Sequence, residues 1–129
     1  MKTLLMVLLS LLFIVSIAVA GTVTLTWDAP TTYTDGSQIA LDQLGAYKVY
    51  YGHASHTYTS NVSVPNPMTP TVTYVLSSLP TGTYFFAVAA TDIYGNESDP
   101  SNEVSKFVSA GPPSPPTNLI GTVTGVEVV

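Results

Sequence analysis

The chain has 129 residues, a formal net charge of −5, only 9% charged residues and no cysteine. The lack of cysteine excludes a disulfide framework, thiolate metal sites and thiol catalysis, and the acidic balance argues against nucleic acid or an anionic membrane as partner. The 46% hydrophobic content is inflated by the start of the chain, where sixteen of the first twenty residues are apolar; residues 21–129 have the composition of one small soluble domain.

Met1-Lys2 is a short positive start, and residues 4–20 form an apolar run that ends in Ala18-Val19-Ala20. That small-x-small ending is the pattern of a signal peptidase site, so residues 1–20 read as an export signal and Gly21 as the first mature residue. An uncleaved anchor is the rival reading, but about seventeen residues is the lower limit for crossing a bilayer. Either way the rest of the chain faces an extracytoplasmic environment, secreted or periplasmic.

After Ala20 the sequence carries 17 Thr, 13 Val and 8 Tyr and no Arg, a composition that favours strands. Period-two alternation is clear over Val23, Leu25 and Trp27, then Tyr47, Val49 and Tyr51, then Tyr84, Phe86, Val88 and Ala90. Asp28-Ala29-Pro30 stops the first run, and Asp35-Gly36 marks a turn in a long polar loop. A short run comes next over residues 58–64, and Pro65, Pro67 and Pro70 forbid ladder pairing until Val72. Residues 71–76 read as a further strand, closed by Leu79-Pro80-Thr81-Gly82, and residues 103–108 as the last. Six short strands with regular turns predict an all-β, immunoglobulin-like antiparallel sandwich over residues 21–108. Its core is expected from Trp27, Tyr47, Val49, Leu79, Tyr84, Phe86 and Val88. Residues 109–116 form a Pro-rich linker, and residues 117–129 have strand character.

Four pieces in order resemble a fibronectin type III domain: Trp27 with Asp28-Ala29-Pro30; Gly45-Ala46-Tyr47-Lys48-Val49-Tyr50-Tyr51-Gly52; Leu79-Pro80-x-Gly82-Thr83-Tyr84-x-Phe86-x-Val88-x-Ala90; and Asn96-Glu97-Ser98 to Ser101-Asn102-Glu103-Val104. The resemblance implies that these are strand B, strand C, the E–F corner with strand F, and the approach to strand G. It also implies that Tyr84 is the corner tyrosine, bonded to backbone near Leu79. The sequence departs from the family at the front, where strand A is expected before Trp27. A Pro-rich lead-in followed by Leu119 and Val123 stands instead at the back. Three readings of this tail compete: an unused remnant, a strand that fills the slot of its own sandwich, or one that fills the slot of a neighbouring copy beside Val23 and Leu25. The stiff proline run favours the neighbour.

Few residues point to chemistry. His53 and His56 lie in a turn without the further ligands that zinc needs, and no nucleophile–base–acid arrangement can be placed. Asp28, Asp35 and Asp42 flank or lie in one loop and Asp92, Glu97 and Asp99 lie in or beside another; the resemblance implies that the two loops meet at one pole, but the spacing matches no calcium loop. Tyr50 and Phe85, with Lys48, Ala87 and Ala89, alternate away from the core and suggest a surface contact patch. The expectation is a non-enzymatic extracellular binding or scaffolding domain without metal or cofactor, self-associating through its tail. A monomeric adhesion or glycan-recognition module using Tyr50, Phe85 or the acidic pole is the alternative.

Overall fold

The computed structural model describes residues 20–109 and 111–125; the apolar leader expected at residues 1–20 lies, except for Ala20, outside them. Six strands run in order: β1 (Ala20–Asp28), β2 (Leu44–Gly52), β3 (Ser60–Pro65), β4 (Thr71–Pro80), β5 (Gly82–Asp92) and β6 (Val104–Val108). The other regular element is a single 3-10 turn, Leu41–Gln43. The six strands expected within residues 21–108 are present within a few residues of their expected limits, whereas the strand expected at 117–129 is not formed over its described part, 117–125. Among the described residues no helix is long and apolar enough to cross a membrane.

The strands form two antiparallel sheets packed face to face, β1-β4 and β3-β2-β5-β6, an immunoglobulin-like sandwich. Alternation decides which side chains meet between the sheets. Tyr47, Val49, Leu79, Tyr84 and Phe86 are buried, joined by Leu25, Leu44, Val64, Val72, Leu76 and Val108. Trp27 of β1 meets Tyr47 of β2 edge to face, with ring centroids 5.3 Å apart. Trp27 and Val88 are only partly buried against this cluster, because both lie on a side of the sandwich that remains open. The Tyr84 hydroxyl donates to the Pro80 carbonyl at 2.8 Å, fixing the turn between β4 and β5.

Two irregularities carry physical reasons. The β1–β4 register slips between Gly21 and Val23, with the extra residue on β4, where Ser78 adopts a φ of 61°; a bulge of this kind bends the strand end. The β2–β5 register slips between Leu44 and Ala46, at Gly45. A Cβ at Gly45 would stand 3.0 Å from the Asp92 carbonyl oxygen, a tight approach that glycine accommodates without displacing that backbone.

The expected exposed face of β5 needs correction. Ala87 and Ala89 are 2% and 1% exposed. The backbone of residues 98–101 lies along β5, with Ser98 N–H donating to Ala90 O and Ser101 N–H to Val88 O. The hydroxyls of Ser101 and Ser98 in turn accept from the Val88 and Ala90 N–H groups at 2.9 Å. On the other side Ala87 and Ala89 stand opposite Tyr50 and Lys48. Methyl groups between such long neighbours are easily covered, and strand alternation alone does not reveal it.

Candidate functional site

β1 pairs with β4 on one edge; among the described residues no strand pairs with the other. The opposite sheet continues beneath that free edge, so a groove opens between them. It has a volume of about 430 Å³ and is lined by Leu25, Trp27 and Asp28 on one side and by Phe86, Val88, Ser101 and Val104 on the other. A second hollow of about 180 Å³ continues it past Trp27, Asp28, Val88 and Ser101 to Pro30, Tyr47 and Asp99. The groove thus tracks β1 from Leu25 to Pro30.

Its far end is shut. A Cβ on Gly21 would overlap the Val108 side chain and stand 2.7 Å from the Ser109 carbonyl oxygen, so only glycine lets the start of β1 meet the end of β6. Two polar atoms beside the groove are buried without a partner among the described residues, Trp27 Nε1 and Tyr47 OH. Burial pushes the Tyr47 pKa up. From Ala20 to Trp27 the free edge carries no charged residue and no proline, the devices that ordinarily discourage strand addition.

The tail lies elsewhere. Residues 111–125 form no strand and are exposed throughout, with Leu119 at 97%, Ile120 at 82% and Val123 at 76%. Residues 111–125 thus leave the groove beside Leu25 unfilled, and the last four residues of the expected tail strand, 126–129, lie outside the described residues.

The other candidates take structural roles. Tyr50 stands opposite Ala87 and Phe85 opposite Gly52, so the two aromatics are diagonal neighbours, and both are half-buried. The Tyr50 hydroxyl donates to Glu97 at 3.0 Å, and Lys48 pairs with Glu97 at 3.2 Å while lying 5.7 Å over the Tyr50 ring. That hydrogen-bonded ion pair raises the Lys48 pKa. A polar cross-strand network therefore occupies the place of the expected apolar patch.

At the acidic pole the carboxylates serve their own loops. Asp35 accepts from Ser37 N–H and Oγ–H, and Asp92 accepts from Tyr94 N–H and from Asn96 N–H and Nδ2–H. These bonds lower both pKa values, with the Ser37 and Asn96 side chains the largest causes. Asp28 accepts from the Thr71 hydroxyl at 3.1 Å. No group of three or more His, Asp or Glu among the described residues is placed to hold a metal ion. His53 packs on Tyr84, with centroids 4.4 Å apart, and its Nδ1 lies 2.9 Å from Thr83 O.

Sequence reasoning missed Glu103. Its carboxylate accepts from Tyr58 OH at 2.5 Å, Ser55 Oγ at 2.7 Å and His56 N–H at 2.7 Å, and it lies 3.4 Å from His56 Nδ1. These donors, Tyr58 first, hold the Glu103 pKa down to about 2. Burial, reinforced by the bond to Glu103, pushes Tyr58 up to about 12. The donors stand 45 to 48 residues away in the chain, so no local motif could have revealed the clasp.

None of the family models, curated proteins or solved structures compared with the chain matches it.

Proposed function

We propose that the chain is an extracytoplasmic, non-enzymatic scaffolding domain of the fibronectin type III kind, whose copies link head to tail by strand complementation. The observation that carries this reading is the free β1 edge above an apolar groove, in a chain whose own tail presents Leu119, Ile120 and Val123 to solvent. Each element leaves unfavourable surface by itself: the groove leaves unpaired backbone groups and core side chains at the rim, and the tail leaves an apolar Val/Thr segment. One copy's tail in the next copy's groove removes both liabilities. Such a contact is heterologous, so it generates an open chain of subunits unless its rotation closes a ring.

The family assignment is supported by the strand order, equivalent to B–E and C′–C–F–G with the A position empty, and by the Tyr84–Pro80 corner bond. Export is supported by the apolar leader and its Ala18-Val19-Ala20 ending. A non-catalytic role accords with the shifted carboxylates, each of which is occupied by hydrogen bonds within the fold.

Sedimentation of the purified protein over a range of concentrations tests the reading. Species at multiples of the chain mass are expected, collapsing to monomer when residues 112–129 are deleted. Monomer at every concentration overturns it. A deletion that lowers thermal stability without changing mass assigns the tail to its own groove instead.

A further inference from the structure

Resting on the strand-complementation reading, we propose a specific docking register for the second copy of this chain. Residues 119–125 of one copy run antiparallel to β1 of the next, with Leu119 opposite Ala29, Gly121 opposite Trp27, Val123 opposite Leu25 and Gly125 opposite Val23.

Polarity sets the direction. The groove is open where Trp27, Asp28 and Pro30 face Asp99 and Ser101, and shut where Gly21 abuts Val108 and Ser109. The tail leaves its own sandwich at the shut end, directly after β6. A copy stacked with its shut end on the open end of another delivers the tail at the mouth, with Leu119 nearer the mouth than Gly125. The Pro-rich run 112–116 spans about 15 Å in polyproline form and carries the tail onward to the next copy without doubling back.

Side-chain size sets the register. Alternation places Leu119, Gly121, Val123 and Gly125 on one face of the incoming strand. On β1 and just beyond it, Val23, Leu25, Trp27 and Ala29 face the core. In the proposed pairing the largest receptor side chain, Trp27, meets a glycine, and the smallest, Ala29, meets a leucine. That is the large-to-small alternation a packed layer needs. Glycine at position 121 also lets the incoming backbone lie close against the indole. The outer face agrees. Thr122 falls on Thr26 and Thr124 on Thr24, extending sideways the threonine contact that already joins Thr26 to Thr73 at 3.3 Å.

Neighbouring registers fail on the same grounds. Two residues deeper, Leu119 meets Trp27 and Val123 meets Val23, so large side chains oppose each other, and Leu25 faces only Gly121. Two residues shallower, Leu119 passes Ala29 and leaves the groove, and Leu25 is covered only by Gly125.

The cysteine-free chain makes the test direct. Chains carrying Thr26→Cys and Thr122→Cys are mixed under mild oxidation, and linked peptides are identified after digestion. Disulfide between positions 26 and 122 is expected to exceed that from mixtures of Thr26→Cys with Ile120→Cys or with Thr124→Cys by at least tenfold. Thr26 and the tail positions are exposed, so folding of the sandwich is spared. Gly121→Val, which sets bulk against Trp27, is expected to weaken association at least tenfold. Preferential linkage at 120 or 124, or unchanged association of Gly121→Val, overturns the register, as does the absence of linkage in all three mixtures while the wild-type chain still forms oligomers. Closure of a doubly substituted chain on itself as monomer, or a wild-type monomer at all concentrations, overturns the underlying assembly.

Discussion

In the four-stranded sheet, side chains from distant segments tie down the outer strands. Glu103, just before β6, gathers Ser55, His56 and Tyr58 from the connection between β2 and β3. Asn66, just after β3, donates through Nδ2 to the carbonyls of Leu41 and Leu44. In the two-stranded sheet, β4 is the one strand that pairs with β1 among the described residues, and the other edge of β1 borders a groove reaching Phe86 and Val88. Both sheets share the same Val-, Thr- and Tyr-rich alternation. The outer strands of one sheet are held by side-chain contacts from distant segments, whereas in the other the β1 edge stays unpaired among the described residues.

Substitutions on the two sides test that contrast. Phe86→Ala in β5 removes a side chain 1% exposed and is expected to cost about 3–5 kcal/mol in urea denaturation. Leu25→Ala on the free-edge side is expected near the lower end of the large-to-small range, about 2 kcal/mol, because the groove already borders it. Equal losses would show the two sheets to be equally consolidated. Tyr84→Phe deletes only the bond to Pro80 O, and a loss of about 1 kcal/mol is expected from the same measurement.

The Glu103 clasp makes the closed sheet sensitive to acid. Its pKa is lowered from 4.5 to about 2 in the folded protein, chiefly by the Tyr58 hydroxyl. The stability it confers is therefore complete above about pH 4.5 and lost as pH falls toward 2. Melting temperatures taken from pH 6 to pH 2 should fall across that window, and Glu103→Gln should flatten the fall. Tyr58, raised to about 12, gives the opposite limb: its contribution is present below pH 10 and lost as pH rises through 12. The smallest effect is expected for Lys48→Ala, since an exposed ion pair such as that with Glu97 contributes little; a clear drop in melting temperature would show the Tyr50 network to be structural.

Much of the sandwich was legible in the sequence because strand periodicity is local. Val23-x-Leu25-x-Trp27 and Tyr84-x-Phe86-x-Val88 declare which face is buried, and Pro65, Pro67 and Pro70 separate β3 from β4. The burial of Ala87 and Ala89 was not legible, since it depends on residues 98–101 lying across β5. Nor was the role of Tyr50, whose partner Glu97 is 47 residues away.

The candidate site divides in the same way. The tail's strand character, its prolines and the lack of charge along β1 are properties of the sequence alone, fixed by backbone preference and side-chain polarity. The tertiary structure decided that, among the described residues, one edge of β1 stays unpaired and Trp27 Nε1 is buried without an acceptor, and that the groove opens at Pro30 and shuts at Gly21. These are outcomes of how two twisted sheets meet. Such packing depends on contacts between residues far apart in the chain, which no local pattern encodes.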